Sequence, residues 1–329
     1  MAGANSNIQI TELDFVNIKT NLIKYLQSQD QFKDYNFAGS AMSTLLDVLS
    51  YNTQYNAYYL NMVANEMFLD TALQRSSVVS HAKLLDYTPK TSKASRATIN
   101  LTVSGGANNV TIVLPRFAEF NSKPINGKTY TFITTDFMSA TFNNNVAVFN
   151  NVSLVQGKNT TLNFIYNQQS NPKSVFKIPN TNIDSSTLLV QVYPNPSNSY
   201  FDVYNLAESY TSLNGESKVY FFEESVDGTY TITFGNGVLG KQISDGSRVS
   251  ISYLVTQGAA PVGANNFTLS TTIGGYTVTV NPQIAAYGGQ DQESIESIKF
   301  QAPKSYASQN RAVTKEDYIS LVQNNNLGL

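Results

Sequence analysis

Between residue 11 and about residue 88, apolar side chains recur every three or four positions; from about Ser92 onward they alternate with polar ones. The first rhythm belongs to helices lying on a core, the second to strands with one buried face. Phe15, Ile18, Leu22 and Leu26 share one face of a first helix, and Thr11 and Asp14 have capping-box spacing, with Asp in place of Glu. Gly39 and Ser40 open a second, longer helix with a stripe through Met42, Leu45, Leu46, Leu49, Tyr55, Tyr59, Met62, Val63 and Met67. No Pro or Gly interrupts Ser40 to Leu85, so the helix is either continuous or broken near Thr71 to Ser76. A third piece carries Val78, Val79, Ala82 and Leu85, and Pro89 stops it.

The second helix is apolar on more than one side. Tyr51, Tyr55, Tyr58, Tyr59 and Leu60 cannot all face one small three-helix core. With Met62 and Met67 they read as a surface for a partner protein, since an apolar patch rimmed by polar residues marks an interaction site.

Beyond Ser92 the pattern predicts a β-rich region. Ala97, Ile99, Leu101 and Val103 alternate with Thr98, Asn100 and Thr102. Further strands are expected at 110–114, 129–134, 146–149, 162–166, 188–193, 218–223, 230–234, 248–255 and 276–280, separated by Gly- and Asn-rich turns. Asn167 to Asn182 is polar, contains Pro172 and Pro179, and reads as a linker or long loop. Helices are expected again at 291–300 and 314–322.

Composition narrows the function. Among 329 residues there are 21 basic and 23 acidic side chains, and no basic run, which argues against a nucleic-acid surface. Only 13% of residues are charged, about half the usual share. The Asn, Ser, Thr and Gln that replace them cost less to desolvate, which suits large permanent contacts between proteins. The 20 Tyr and 18 Phe fit that reading, although strands favour these rings too. There is no cysteine, hence no disulfide or thiolate chemistry. Met1 to Asn7 lacks the features of a signal peptide and no stretch is long and apolar enough to span a membrane, so the expected site of synthesis and folding is the cytoplasm.

Candidate chemistry is sparse. Gly235-Asn236-Gly237-Val238-Leu239-Gly240 matches the dinucleotide-binding pattern by letter, but an alternating strand follows where a helix should open. Gly235, Gly237 and Gly240 therefore read as a structural turn that needs positive φ. His81, the only histidine, has no clustered partners for a triad or metal site. Glu223 and Glu224 are adjacent on a strand, point to opposite faces, and cannot flank one glycosidic bond. No catalytic residue, cofactor site or metal site is assigned. Thr314 can cap a C-terminal helix, with Glu316 and Asp317 in its first turn and Tyr318 and Leu321 on its apolar stripe.

Three sets of segments carry a resemblance. The first runs through Phe15 to Leu26, Asp34-Tyr35-Asn36-Phe37-Ala38-Gly39-Ser40, Asn65-Glu66-Met67-Phe68-Leu69, Arg75-Ser76-Ser77-Val78-Val79 and Leu85-Asp86-Tyr87-Thr88-Pro89. The second is Thr233-Phe234-Gly235-Asn236-Gly237 with Ile251-Ser252-Tyr253. The third opens at Gly288-Gly289-Gln290-Asp291-Gln292-Glu293-Ser294 and runs through Arg311, Val313, Thr314 and Asp317 to Tyr318. In this order they resemble the baseplate J-like family, in its T-even-type wedge form. The resemblance implies a structural protein whose copies join around the hub of a contractile phage tail and rearrange when it contracts. It also implies that the N-terminal helices bundle with another wedge protein, and that the chain continues past Leu329 into a domain for subunit contacts.

The expected fold class is α+β: an N-terminal helical bundle segment (1–90), a central multi-strand antiparallel β region in two parts (91–180 and 181–288), and a C-terminal helical segment (289–329). The expected function is a non-enzymatic baseplate wedge subunit, assembled in the host cytoplasm and carried in the virion tail. Its partners would be other wedge proteins and further copies of itself, with no nucleic acid, membrane or small-molecule substrate. The alternative is a β-rich tail adhesin or fibre module that binds host-surface glycans, which Tyr and Asn on loops would suit.

Overall fold

The computed structural model describes residues 13–207, 213–270 and 272–308, and the fold is α+β as the periodicity predicts. The chain divides into two compact units. One is helical and joins the residues up to Tyr87 to those from Ile295 onward; the other, Thr88–Ser294, is built of strands. No helix among the described residues is long and apolar enough to cross a membrane.

In the helical unit, α1 (Phe15–Gln27) and α2 (Ala41–Glu66) lie against each other, joined by a short 3-10 turn at Asp30–Phe32. Asp14 caps α1: its carboxylate accepts from the N–H groups of Val16 and Asn17; Thr11 lies outside the described residues. Ser40 caps α2 by accepting from Ser43 N–H. Lys19 of α1 forms an ion pair with Asp47 of α2 at 2.6 Å, and the Gln54 amide donates to the carbonyl of Leu13 at 2.9 Å.

α2 does break before α3 (Arg75–Leu84), and Glu66 holds the break. Its carboxylate accepts from Leu73 N–H at 2.9 Å and from Gln74 N–H, so a side chain at the end of α2 caps the exposed donors at the start of α3. Nε2 of His81 lies 2.9 Å from the Glu66 carbonyl, which gives the lone histidine a structural place. α3 packs on α4 (Ile295–Ser308) through Ala72, Val78, Val79, Ala82, Tyr87, Ile298 and Ala302. The helix predicted from 291 thus starts at Ile295, and residues 290–293 are instead pinned to the strands. The helix predicted at 314–322 lies outside the described residues.

Among the described residues the β unit contains fifteen strands. β1 (Arg96–Ser104), β3 (Glu119–Ser122), β4 (Thr131–Thr134), β6 (Val146–Gln156), β14 (Phe267–Leu269) and β15 (Thr277–Tyr287) form a six-stranded antiparallel sheet, ordered β14-β3-β4-β6-β1-β15. Gly263 N–H donates to Ala286 O and Ala286 N–H to Ala264 O, both at 2.7 Å, which draws the two ends of this sheet together. β2 (Thr111–Leu114) and β5 (Met138–Thr141) form a separate ribbon.

The seven-stranded sheet comprises β7 (Lys158–Ile165), β8 (Val175–Ile178), β9 (Ile183–Tyr193), β10 (Asp202–Leu206), β11 (Val219–Glu224), β12 (Tyr230–Phe234) and β13 (Arg248–Val255). Its order is β7-β13-β9-β10-β11-β12-β8, and only β10 and β11 run parallel. Its outermost strands meet through Phe164 and Tyr166 on Phe176, with ring centroids 5.3 and 6.2 Å apart.

The sheets do not part at residue 180. The seven-stranded sheet occupies 158–255 and interrupts the six-stranded one, whose strands lie at 96–156 and 267–287. The segment read as a linker contains β8, whose alternation in Val175–Ile178 is only four residues long and sits among polar neighbours. Where the chain crosses between sheets, the buried Gln156 accepts through Oε1 from the Thr256 hydroxyl at 2.7 Å and from Gln257 N–H at 2.8 Å. The strap at 290–293 is tied alongside. Lys93 and Gln290 exchange backbone bonds at 2.8 and 3.0 Å, Asp291 Oδ1 accepts from Ala259 N–H at 3.0 Å, and Gln292 Nε2 donates to the Tyr230 hydroxyl at 2.9 Å. Gly258 and Gly289 permit this crossing, since a Cβ at either would collide with the neighbouring backbone.

Two outcomes are expected. Replacing Gln156 with Leu strips the buried Thr256 hydroxyl and the part-buried Gln257 N–H of their acceptor and should cost about 2 kcal/mol in chemical denaturation. Burial pushes the Glu66 carboxyl up, but hydrogen bonds from Ser77 and the N–H groups of Leu73 and Gln74, with the charge of Lys299, hold it below its ordinary 4.5. Its contribution to stability is therefore fully present above the unfolded pKa and lost as pH falls through the lower folded value. The difference in melting temperature between the wild type and Glu66→Gln should shrink as pH is lowered through the acid range; a difference independent of pH would refute the capping role.

Candidate functional site

The side of α2 turned inward is made of small and polar residues: Leu46, Ser50, Ala57, Asn61, Ala64 and Asn65 are buried. Short side chains let another helix approach closely, and Ile18, with the half-buried Phe15, Leu22 and Leu26, supplies the facing stripe of α1. The large apolar residues of α2 are consequently left outside.

Tyr51, Tyr55, Tyr58 and Met62, spaced four, three and four apart, line one side of the helix, and all four are exposed. Tyr59 lies next to them, and Leu60 and Met67 flank the far edge, also exposed. The rings form a ladder, with centroids 4.9 Å apart for Tyr51 and Tyr55, 5.8 Å for Tyr55 and Tyr59, and 5.9 Å for Tyr58 and Tyr59. A hydrogen bond to Tyr55 raises the Tyr51 hydroxyl above its ordinary pKa of 10.0.

Leu45, Leu49 and Val63, expected to be core, are also exposed, as is Val48, which the sequence reading left out; the last two are 60% and 62% accessible. Of the nine-residue stripe, in which Tyr55, Tyr59, Met62 and Met67 also read as partner surface, only Leu46 is buried. Periodicity finds the apolar arc of a helix but not which part of it the chain itself covers. The signal was available in the small residues at 50, 57 and 64, which keep helical spacing on the opposite side.

The glycine turn lies at the end of β12. Gly237 and Gly240 have φ of 85° and 82°, and Gly237 N–H donates to Gly240 O at 3.0 Å. Asn236 Oδ1 accepts from the N–H groups of Val238 and Leu239. Gly235 serves differently from the expectation: its φ is not positive, but a Cβ there would overlap the backbone of Gly240. Lys241 N–H then bonds Ser217 O, and irregular chain leading to β13 follows rather than a helix, so no phosphate-binding terminus forms here. Glu223 lines a cleft of about 570 Å³ beside this turn. Arg311, Val313, Thr314, Asp317 and Tyr318, expected to start a C-terminal helix, lie outside the described residues. No cluster of potential metal ligands occurs among the described residues.

The exposed helix lies within the part of the chain that matches a known family. Residues 14–87, from the cap of α1 to the end of the segment after α3, match the family described as baseplate wedge protein gp6-like, helical domain. Over 333 aligned positions the chain is 30% identical to baseplate wedge protein gp6 of Enterobacteria phage T4, an alignment covering 94% of this chain and 49% of that protein. The chain thus spans about half the length of the curated relative it matches. Both matches are to baseplate wedge proteins, and neither is described as baseplate J-like. A chain in the cryo-EM structure of the anti-feeding prophage baseplate, 6-fold symmetrised, aligns with 94% of this chain and 63% of its own length at 14% identity. Its TM-score of 0.35 is too low to carry an argument.

The turn yields its own test. Gly235→Ala should destabilise the protein by at least about 3 kcal/mol because neither backbone segment can yield. Gly246→Ala, at a φ of 78° with open space around it, should cost only the left-handed strain, about 1–2 kcal/mol. Equal melting temperatures for the two variants would mean that the close approach at Gly235 is not a constraint.

Proposed function

We propose that this chain is a structural subunit of a contractile-tail baseplate, a wedge component that acts by assembly rather than catalysis. The observation that carries the reading is the uncovered aromatic face of α2, inside the stretch similar to the helical domain of gp6-like wedge proteins. The partners are other wedge proteins and further copies of this chain. Tyr51, Tyr55, Tyr58, Tyr59, Leu60, Met62 and Met67 form the bundling surface, which Leu45, Val48, Leu49 and Val63 extend. Kinship with the baseplate J-like family is the finer part of the proposal and rests on the segments from Phe15 to Leu26 and from Gly288 to Tyr318. The protein is made in the host cytoplasm, carried in the virion tail, and rearranges by rigid-body movement of domains on contraction. The glycine turn shapes the end of β12.

The test is incorporation into particles. Mass spectrometry of purified tails should count this chain in a fixed ratio to the sheath and tube proteins. The double variant Tyr55→Asp, Tyr59→Asp should be absent from them, while the purified variant keeps the wild-type melting temperature because both rings are exposed in the single chain. Normal incorporation of the variant would overturn the assignment of the face.

A further inference from the structure

One row of side chains crosses four strands on the outer side of the seven-stranded sheet. The register sets Ile165 of β7 beside Arg248 of β13, and Arg248 beside Tyr193 of β9. Phe201, just before β10, completes the row, with its ring centroid 5.4 Å from that of Tyr193. The neighbours Val249 and Val192 point the other way and are buried in the core of the sheet. The row therefore faces outward. Ile165 is 66% exposed there, and Phe201 and Val203 are exposed beside it.

Arg248 is the anomaly of this row. The residue is half-buried, and its guanidinium lies over the Tyr193 ring at 3.8 Å. Its Nε is cut off from solvent and has no hydrogen-bond partner. Among the described residues no carboxylate pairs with it. The acids nearest along the strands are engaged elsewhere: Asp202 holds Lys218 at 2.6 Å, and Asp245 accepts from Gln168 N–H at 2.8 Å. A cation partly withdrawn from water costs free energy that a matching anion offsets, and low-polarity surroundings strengthen that match. The fold itself supplies no such anion.

The surroundings select the kind of anion. Nucleic acids are held by several cations, and Arg248 is the only charged residue of the row. Ile165, Phe201 and Val203 instead suit apolar side chains, and a planar guanidinium matches a carboxylate. Arg and the aromatic residues are also the types enriched where proteins meet. We propose that this face docks a different protein of the tail, through an Asp or Glu carboxylate on Arg248 flanked by apolar side chains over Ile165 and Phe201. The proposal rests on the wedge reading for its setting and adds a contact surface on the β unit.

Purified tails supply the test. Hydroxyl-radical footprinting should label Ile165 and Phe201 in the free chain and find both protected in tails. In tails that carry Arg248→Lys, a carbodiimide should couple the introduced amine to an Asp or Glu of another tail protein, identified by mass spectrometry. Arg248→Gln should lower incorporation about tenfold or more, because the partner's carboxylate loses its counter-charge. The purified Arg248→Gln chain should keep the wild-type melting temperature, since the fold gives Arg248 no ion pair to lose. Equal labelling of Ile165 and Phe201 in tails and in the free chain would overturn the proposal. So would a cross-link confined to other copies of this chain, which would make the face a contact between copies. Tails that lack the wild-type chain altogether would sink the wedge reading, and this proposal with it.

Discussion

The β unit depends on a crossing where the chain leaves one sheet and returns to it. β6 ends at Gln156, the next residue but one starts β7 of the other sheet, and the chain returns after β13 at Thr256. One buried amide oxygen, Oε1 of Gln156, holds the outgoing and returning chains together by accepting from both the Thr256 hydroxyl and Gln257 N–H. Such an interaction is modest in isolation and costly to leave unmade, because the Thr256 hydroxyl and the Gln156 amide are buried. Around it sit Ala94, Ile133, Val155 and Leu254, a small apolar cluster contributed by residues close to the crossing. An insertion of about a hundred residues is thus tied to its host sheet at the crossing and again where Asp184 accepts from Ala94 N–H, and the strap at Gln290 to Glu293 closes nearby.

The pattern of the sequence foretold some of this and missed the rest for physical reasons. α1, α2 and α3 were legible because their periodic stretches are long and their ends carry caps, although Asp14 caps α1 where a Thr11 box was expected. β12 and β13 match their predicted limits, since Tyr230–Phe234 and Arg248–Val255 are compact alternating runs between turns. β3, β5, β8, β10 and β14 escaped notice because each has five residues or fewer, too short for alternation to rise above a background rich in Asn and Thr. Sheet membership was not legible at all. Pairing of β1 with β15 joins residues nearly two hundred positions apart, and no local pattern in Arg96–Ser104 names Thr277–Tyr287 as its neighbour.

The same distinction applies to the helical face. That α2 has too many apolar residues for its own core could be read from Tyr51, Tyr55, Tyr58, Tyr59 and Leu60 alone. Which side would be covered is missed by periodicity alone, because it depends on size: Ser50, Ala57 and Ala64 permit close approach, while Tyr and Met at the same depth would hold a neighbour away. The result inverts the usual amphipathic helix. The covered side is partly polar, with the Asn65 amide donating to the Asn61 carbonyl at 2.7 Å, and the uncovered side is the apolar one.

A helix built this way is at odds with life as a monomer. Apolar side chains scattered singly over a surface are ordinary, but a continuous arc from Leu45 to Met67 along a 26-residue helix is not. Charge does little to oppose association, since only 13% of the chain is charged and the net charge is −2. Tyrosine resolves part of the conflict, for each exposed ring buries a large area against a partner yet keeps a hydroxyl that tolerates water beforehand. Ordering the rings in a ladder before binding also reduces the rotamer freedom that association would otherwise remove. Low charge then becomes an advantage, because few ions must be desolvated when the face is covered. These features favour a contact made once, during assembly, and kept.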